Sequence, residues 1–232
     1  MDTRPMSRTD RVVDAVTQMI LDGELAPGGR LPVEAELAER LEVSRGSLRE
    51  GVRALAVLGI LESRQGDGTY VTSLAPSLLL RPVGLLVELQ GAGQARHTHA
   101  VRRMLEAEAA AGAARRPDDV ASRDAARTAL DRAAAALAAP PDDRHDAFLE
   151  ADVAFHAALA AWAGNPVLAA LVDALAGRTT SHRRWRATTL PDADARAHEW
   201  HSQILAAVED GRQDEARTLM QAHLLEVERS LP

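Results

Sequence analysis

The stretch from Leu31 to Val71 sets the tightest limit on the fold: two short amphipathic segments run straight into a glycine-centred hairpin. Leu37, Ala38 and Leu41 recur at helical spacing in the first segment, and Ser44 stands at the N-cap of a second whose Leu48, Val52 and Leu55 share a face. The opposite side of that second helix carries Arg45, Arg49 and Arg53 at i, i+4 and i+8. After Gly59, Ile60–Arg64 reads as a strand, Gln65-Gly66-Asp67-Gly68 as a tight turn and Thr69–Thr72 as a second strand. Three arginines on an isolated helix are an ordinary solvated face; the capped turn and the hairpin at this spacing instead predict a winged helix-turn-helix. A guanidinium reaches phosphates or pairs bidentately with guanine edges, and a helix entering the major groove by its N-terminus brings Ser44, Arg45 and Ser47 nearest the bases. The turn at Gly66 is then the tip of a wing over the DNA backbone.

The segments Leu31-Pro32-x-Glu34, Val43-Ser44-Arg45-Gly46-Ser47-Leu48-Arg49-Glu50 and Gly66-x-Gly68-Thr69-Tyr70-Val71 resemble the DNA-binding domain of the GntR family. The upstream Ile20-Leu21-Asp22-Gly23-Glu24-Leu25-x-Pro27-Gly28 fits the same resemblance. It implies a short palindromic operator and DNA-contact roles for Arg45, Arg49, Ser44, Ser47 and Gly66. Three positions depart from the family pattern: Ala35 stands where an arginine usually touches DNA, Glu42 replaces the turn glycine, and Gly51 sits in the recognition helix where alanine is typical. On propensity alone, Gly51 costs about 1 kcal/mol of helix stability.

The 232 residues accommodate a head at residues 1–73, a linker at 74–78 around Pro76, and a second domain at 79–232. Formal net charge is −7, and residues 1–74 hold nine arginines against twelve acids. Such a chain is no basic coat for nucleic acid, so DNA affinity has to come from a local arginine face and from dimer symmetry. All 27 basic residues are arginine and cysteine is absent, which excludes disulfides and thiolate ligands. The sequence shows no apolar leader and no run approaching the ~20 residues of a membrane span. A soluble, cytoplasmic protein with no membrane partner is expected.

Beyond the linker the pattern is helical throughout. An apolar helix over Leu78–Leu89, interrupted near Pro82 and ended by Gly91-Ala92-Gly93, precedes predicted helices over Arg96–Arg115, Asp119–Leu137, Asp143–Ala163, Val167–Arg186, Ala193–Asp210 and Asp214–Arg229. The expected fold class is mainly α, with a winged helix-turn-helix and its small β-hairpin at the N-terminus and an antiparallel bundle of about seven helices at the C-terminus.

Asp152 and His156 stand at i and i+4, so they point the same way from one helix. His201 and His223 occupy the last two helices, on the sides that carry Ile204, Leu205, Val208, Leu219 and Leu224. A bundle that gathers all four offers one carboxylate oxygen and three imidazole nitrogens, a donor set for Zn²⁺, Ni²⁺, Mn²⁺ or Fe²⁺ with a position left for a ligand oxygen. The competing reading is a set of core histidines satisfied by hydrogen bonds alone.

Asp152-x-x-Phe155-His156-x-x-Leu159, Gly164-Asn165-Pro166, His201-x-x-Ile204-Leu205-x-Ala207-Val208 and Met220-x-x-His223-Leu224 resemble the effector-binding helical domain of the FadR subfamily. That resemblance implies Asp152, His156, His201 and His223 as the metal ligands, with zinc the first choice; His198, one turn before His201, is its rival. It also puts an effector carboxylate on Arg102, for which an ion pair with Glu106 is the alternative. Arg183 and Trp185 are expected to add pocket contacts, whereas His97, His99, His145 and His182 lack a chelating partner and are expected at the surface.

Together these features point to a metabolite-responsive transcription regulator: a homodimer on double-stranded operator DNA that senses a small organic acid at a metal-containing pocket. A metal-dependent hydrolase would need a general base and an oxyanion donor beside the ion, and no convincing pair is present. His198-Glu199-Trp200-His201 has two residues between its histidines where a zincin helix has three. A metal-free bundle for a larger acyl ligand would show an apolar residue at one of the four ligand positions.

Overall fold

Ser7 and Asp10 form a reciprocal capping box at the start of α1 (Arg8–Leu21): the Asp10 N–H donates to Ser7 Oγ at 3.0 Å and the Ser7 N–H to Asp10 Oδ2 at 3.1 Å. In this computed structural model, which describes residues 7–89, 95–176 and 192–230, the chain divides into two compact units, residues 1–82 and 83–232. In the first, α2 (Glu34–Arg40) and α3 (Arg45–Val57) make the helix-turn-helix, and α3 packs on α1. Val12, Val16, Leu37, Leu48, Leu55, Leu61 and Val71 are buried together. Gly51 sets the crossing of α1 and α3, because a Cβ there would lie 2.5 Å from Val12 Cγ1 and 2.6 Å from Val12 Cβ. The glycine that propensity marks as a weak point is therefore what lets two helices touch. Between α2 and α3, Glu42 takes a φ of +54°, in the left-handed region where a glycine costs least.

The wing is the antiparallel pair β1 (Leu61–Arg64) and β2 (Gly68–Val71), with Leu61 opposite Val71 and Arg64 opposite Gly68. The chain before α2 is tied to its edge, since the Leu31 N–H donates to Thr69 O and the Val71 N–H to Gly29 O, both at 2.8 Å. The Arg64 guanidinium lies 4.1 Å from the centre of the Tyr70 ring. The interruption expected near Pro82 falls at Leu80. A short α4 (Pro76–Leu79) ends first, and α5 (Arg81–Leu89) begins with Pro82 in its first turn, where a missing N–H loses no intrahelical partner.

The unit boundary falls within α5, and the second unit continues with α6 (Ala95–Ala114), α7 (Val120–Ala138), α8 (Pro141–Trp162), α9 (Pro166–Ala176), α10 (Ala193–Glu209) and α11 (Gln213–Arg229). The predicted continuation of α9 to Arg186 lies outside the described residues. Helix α7 runs against α8, and α6 against α11. Ala107, Ala110 and Ala113 on α6 bring that backbone close to Phe155, Leu159, Trp162, Ile204, Val208, Met220 and Leu224 in one buried cluster. The alanine run contributes Ala133 and Ala136, which pack with Phe148 and Ala197. The Trp162 indole N–H donates to Arg116 O at 2.7 Å, and Asn165 caps α9 by accepting from the Val167 and Leu168 N–H groups at 3.1 Å each. Among the described residues no helix is long and apolar enough to cross a membrane.

Candidate functional site

The N-terminus of α3 is organised by two serines. Ser44 Oγ accepts the Ser47 N–H at 3.1 Å and lies 2.9 Å from Ser47 Oγ, so both hydroxyls sit at the positive end of the helix, whose first turn holds no acid. Arg45, Arg49 and Arg53 are all exposed. Arg49 reaches back across the turn, its Nε donating to Glu34 Oε2 at 2.9 Å. That hydrogen bond, and then the charge of Glu34, raise the pKa of the guanidinium. Gly66 turns the wing at φ +75° with open space around it. Ala35 is exposed on α2, alongside Glu34, Glu36 and Glu39.

In the second unit, four helices converge on a buried polar centre. Helix α8 brings Asp152 and His156, α10 brings His201, α11 brings His223, and α6 brings Arg102 and Glu106; each is at most 8% exposed. The ligand atoms of His156, His201 and His223 lie within 4.8 Å of one another. His201 Nε2 is 3.2 Å from His223 Nε2 and 3.5 Å from Asp152 Oδ1, and His156 Nε2 is 3.9 Å from the same oxygen. Atoms bound to one ion at about 2.1 Å stand roughly 3.0–3.4 Å apart, so the donor set and its spacing fit a single divalent ion after a small inward movement of His156. Phe155 stacks on the His201 ring with centroids 4.4 Å apart and planes at 20°. Trp200 is held beside the cluster, its indole N–H donating to Glu226 Oε2 at 2.8 Å and its ring 6.4 Å from that of His223.

Arg102 forms the alternative contact weighed for it, with its Nε donating to Glu106 Oε1 at 2.7 Å and both side chains buried. Glu106 does more than that pairing required, since its Oε2 lies 2.5 Å from Nδ1 of His156. The signal for it was present: Arg102 and Glu106 interrupt the alanine-lined face of α6 one turn apart. His201, not His198, points to the other histidines. His99 corrects an expectation, because it is fully buried on α6, one turn before Arg102, whereas an isolated histidine was expected at the surface. His97 is exposed as expected, and half-buried His145 lies 3.2 Å from Asp194 Oδ2. Arg183, Trp185 and His182 lie outside the described residues.

The known proteins that this chain is similar to bear on both units. The family of bacterial regulatory proteins called gntR matches residues 8–71, and the FCD domain matches residues 97–226. The chain belongs to the GntR family. This GntR regulator is 33% identical over 219 residues to the HTH-type transcriptional regulator LutR of Bacillus subtilis, covering 90% of this chain and 94% of that protein. It is 32% identical over 185 residues to the galactonate operon transcriptional repressor of Escherichia coli, covering 78% of each. Among solved structures, the Streptococcus agalactiae GntR protein matches with a TM-score of 0.70 at 28% identity, over 96% of this chain and 99% of that one. The relatives are transcription regulators and not enzymes, and the FCD architecture fits the FadR subfamily.

Proposed function

We propose that this GntR regulator acts as a homodimer on a palindromic operator and changes its grip on that DNA when a small hydroxy-carboxylate occupies a metal-containing pocket in the second unit. The observation that carries the sensing half is the convergence of three imidazoles and the Asp152 carboxylate from three helices on one buried point. Asp152, His156, His201 and His223 would hold a divalent transition metal, zinc first and Ni, Mn or Fe as alternatives. When bound, such an ion supplies a Lewis-acidic seat for a carboxylate or hydroxyl oxygen. Arg102 supplies the second grip, a buried guanidinium whose forked N–H donors match a carboxylate. The name of the galactonate repressor points to a sugar acid, a carboxylate with a hydroxyl on the next carbon. That pair of oxygens suits an ion and an arginine sharing one small molecule.

In the head, residues 1–73, we assign base and phosphate contacts to Arg45 and Arg49, with the Ser44 and Ser47 hydroxyls at the helix N-terminus and the Gly66 turn carrying the wing tip along the backbone. A two-fold dimer matches a palindrome half-site for half-site. Effector and operator binding are then linked, and each changes the affinity of the other by the same factor. Two assays on the full chain test this. Thermal shift of zinc-loaded protein against galactonate and shorter 2-hydroxy acids should raise the Tm of wild type and not of Arg102→Ala. A mobility shift on the cognate operator should show Arg49→Ala weakened by at least about tenfold, and undiminished sequence-specific binding would remove the assignment of α3.

A further inference from the structure

We propose that Glu106 is a positioning residue that ties the anion-binding arginine to the metal centre, with one carboxylate oxygen on Arg102 and the other behind the ring of His156. This role rests on the metal reading given above. Oε1 takes the Arg102 Nε–H at 2.7 Å, and Oε2 stands 2.5 Å from His156 Nδ1. All three side chains are at most 2% exposed, so water does not screen these contacts.

At 2.5 Å, Oε2 is within reach of a hydrogen carried on Nδ1. Because the guanidinium is a donor only, Glu106 serves Arg102 as an acceptor, and its proposed part toward His156 is to accept from an Nδ1–H. In that tautomer the unshared pair of His156 is on Nε2, the nitrogen on the Asp152 side of the cluster. In that role Glu106 sets both the tautomer and the rotation of His156, as carboxylates behind metal-bound histidines do. Its second oxygen adds something that a simple backing carboxylate lacks. Any anion that draws on Arg102 also draws on the group that orients a metal ligand, so the two subsites are linked through one side chain.

The test is zinc affinity, measured by competition with a chromophoric chelator, in the full chain and in Glu106→Gln. The amide cannot accept from both neighbours at once, and the affinity is expected to fall by about 10- to 100-fold. The visible spectrum of the cobalt-loaded variant should shift as well, a change that loss of packing elsewhere would not produce. Because the substitution leaves the Arg102 charge buried, the double variant Arg102→Gln/Glu106→Gln serves if the single one does not fold. A long-range ¹H–¹⁵N correlation on zinc-loaded wild type reads the tautomer with no substitution in the pair, and His156 should carry its hydrogen on Nδ1. Unchanged zinc affinity together with an unchanged cobalt spectrum in Glu106→Gln, or a His156 protonated at Nε2, overturns the role of Glu106 alone. A wild type that takes up no zinc overturns the metal reading and this role with it.

Discussion

Gly51→Ala should change the sign of its effect with the residue it faces. In the wild-type head the new methyl carbon would lie 2.5 Å from Val12 Cγ1 and 3.3 Å from Thr9 O, and a helical valine has essentially one rotamer, so it has nowhere to retreat. Alanine gains about 1 kcal/mol over glycine in helix propensity, while an extra carbon forced into a packed contact costs about 1–3 kcal/mol. The net expectation is a loss of about 1 kcal/mol. Val12→Gly alone removes the whole side chain, Cβ included, from a fully buried position and should cost about 3 kcal/mol. In that background both Val12 contacts are gone, the propensity gain stands, and Gly51→Ala should stabilise by about 1 kcal/mol. Native-state hydrogen exchange of peptides from α1 and α3 reads opening of the head separately from the bundle. Protection should drop by about fivefold for Gly51→Ala in wild type and rise by about fivefold in Val12→Gly. Equal stabilisation in both backgrounds would refute the close crossing of α1 and α3.

Relieving the left-handed Glu42 with Glu42→Gly should stabilise the head by about 0.5–1 kcal/mol, the αL cost of about 1–2 kcal/mol set against the freedom that glycine returns to the unfolded chain; a lower melting temperature of the head would contradict the strain argument. Elemental analysis of protein purified without chelators should find about one metal per chain in wild type and His198→Ala, and little in His201→Ala or His223→Ala; equal metal in all four would move the site elsewhere. The Asp119 carboxyl, N-cap of α7, is held below its ordinary value of 3.8, first by the Ser122 backbone N–H and then by the Ser122 hydroxyl. Its contribution is therefore present above that value and disappears as the pH falls through the depressed one. Asp119→Ala should accordingly lower the Tm at pH 7, with the gap to wild type closing below about pH 4; a gap that persists in acid would assign the loss to something other than the carboxylate.

The head was legible in the sequence because its signals are local. A capping serine, a helical stripe of leucines and a glycine turn each act within a few residues, and the structure places Ser44, Leu48, Leu55 and the hairpin accordingly. The bundle's helices were legible for the same reason, since proline, glycine and asparagine mark their ends. Pairing between distant segments was harder to read. Asp152 and His156 share a helix, so their common direction follows from spacing, whereas the approach of Glu106 to His156 depends on how α6 meets α8. His99 was misread for a related reason: an alanine-rich helix has no strong apolar stripe to show which side faces inward, so a polar residue on the inner side looks like one on the outer. Gly51 was read by propensity, a local quantity, when its reason lies on another helix.

Trp200 gives the molecule a gauge of its own. With its indole N–H tethered to Glu226 and its ring held 6.4 Å from His223, its emission is placed to respond to whatever that imidazole holds. An open-shell ion such as Co²⁺ or Ni²⁺ would quench the emission at that range, while closed-shell Zn²⁺ would alter it only through local charge. Filling of the centre could thus be followed in a cuvette by intrinsic fluorescence, with no label attached to the regulator.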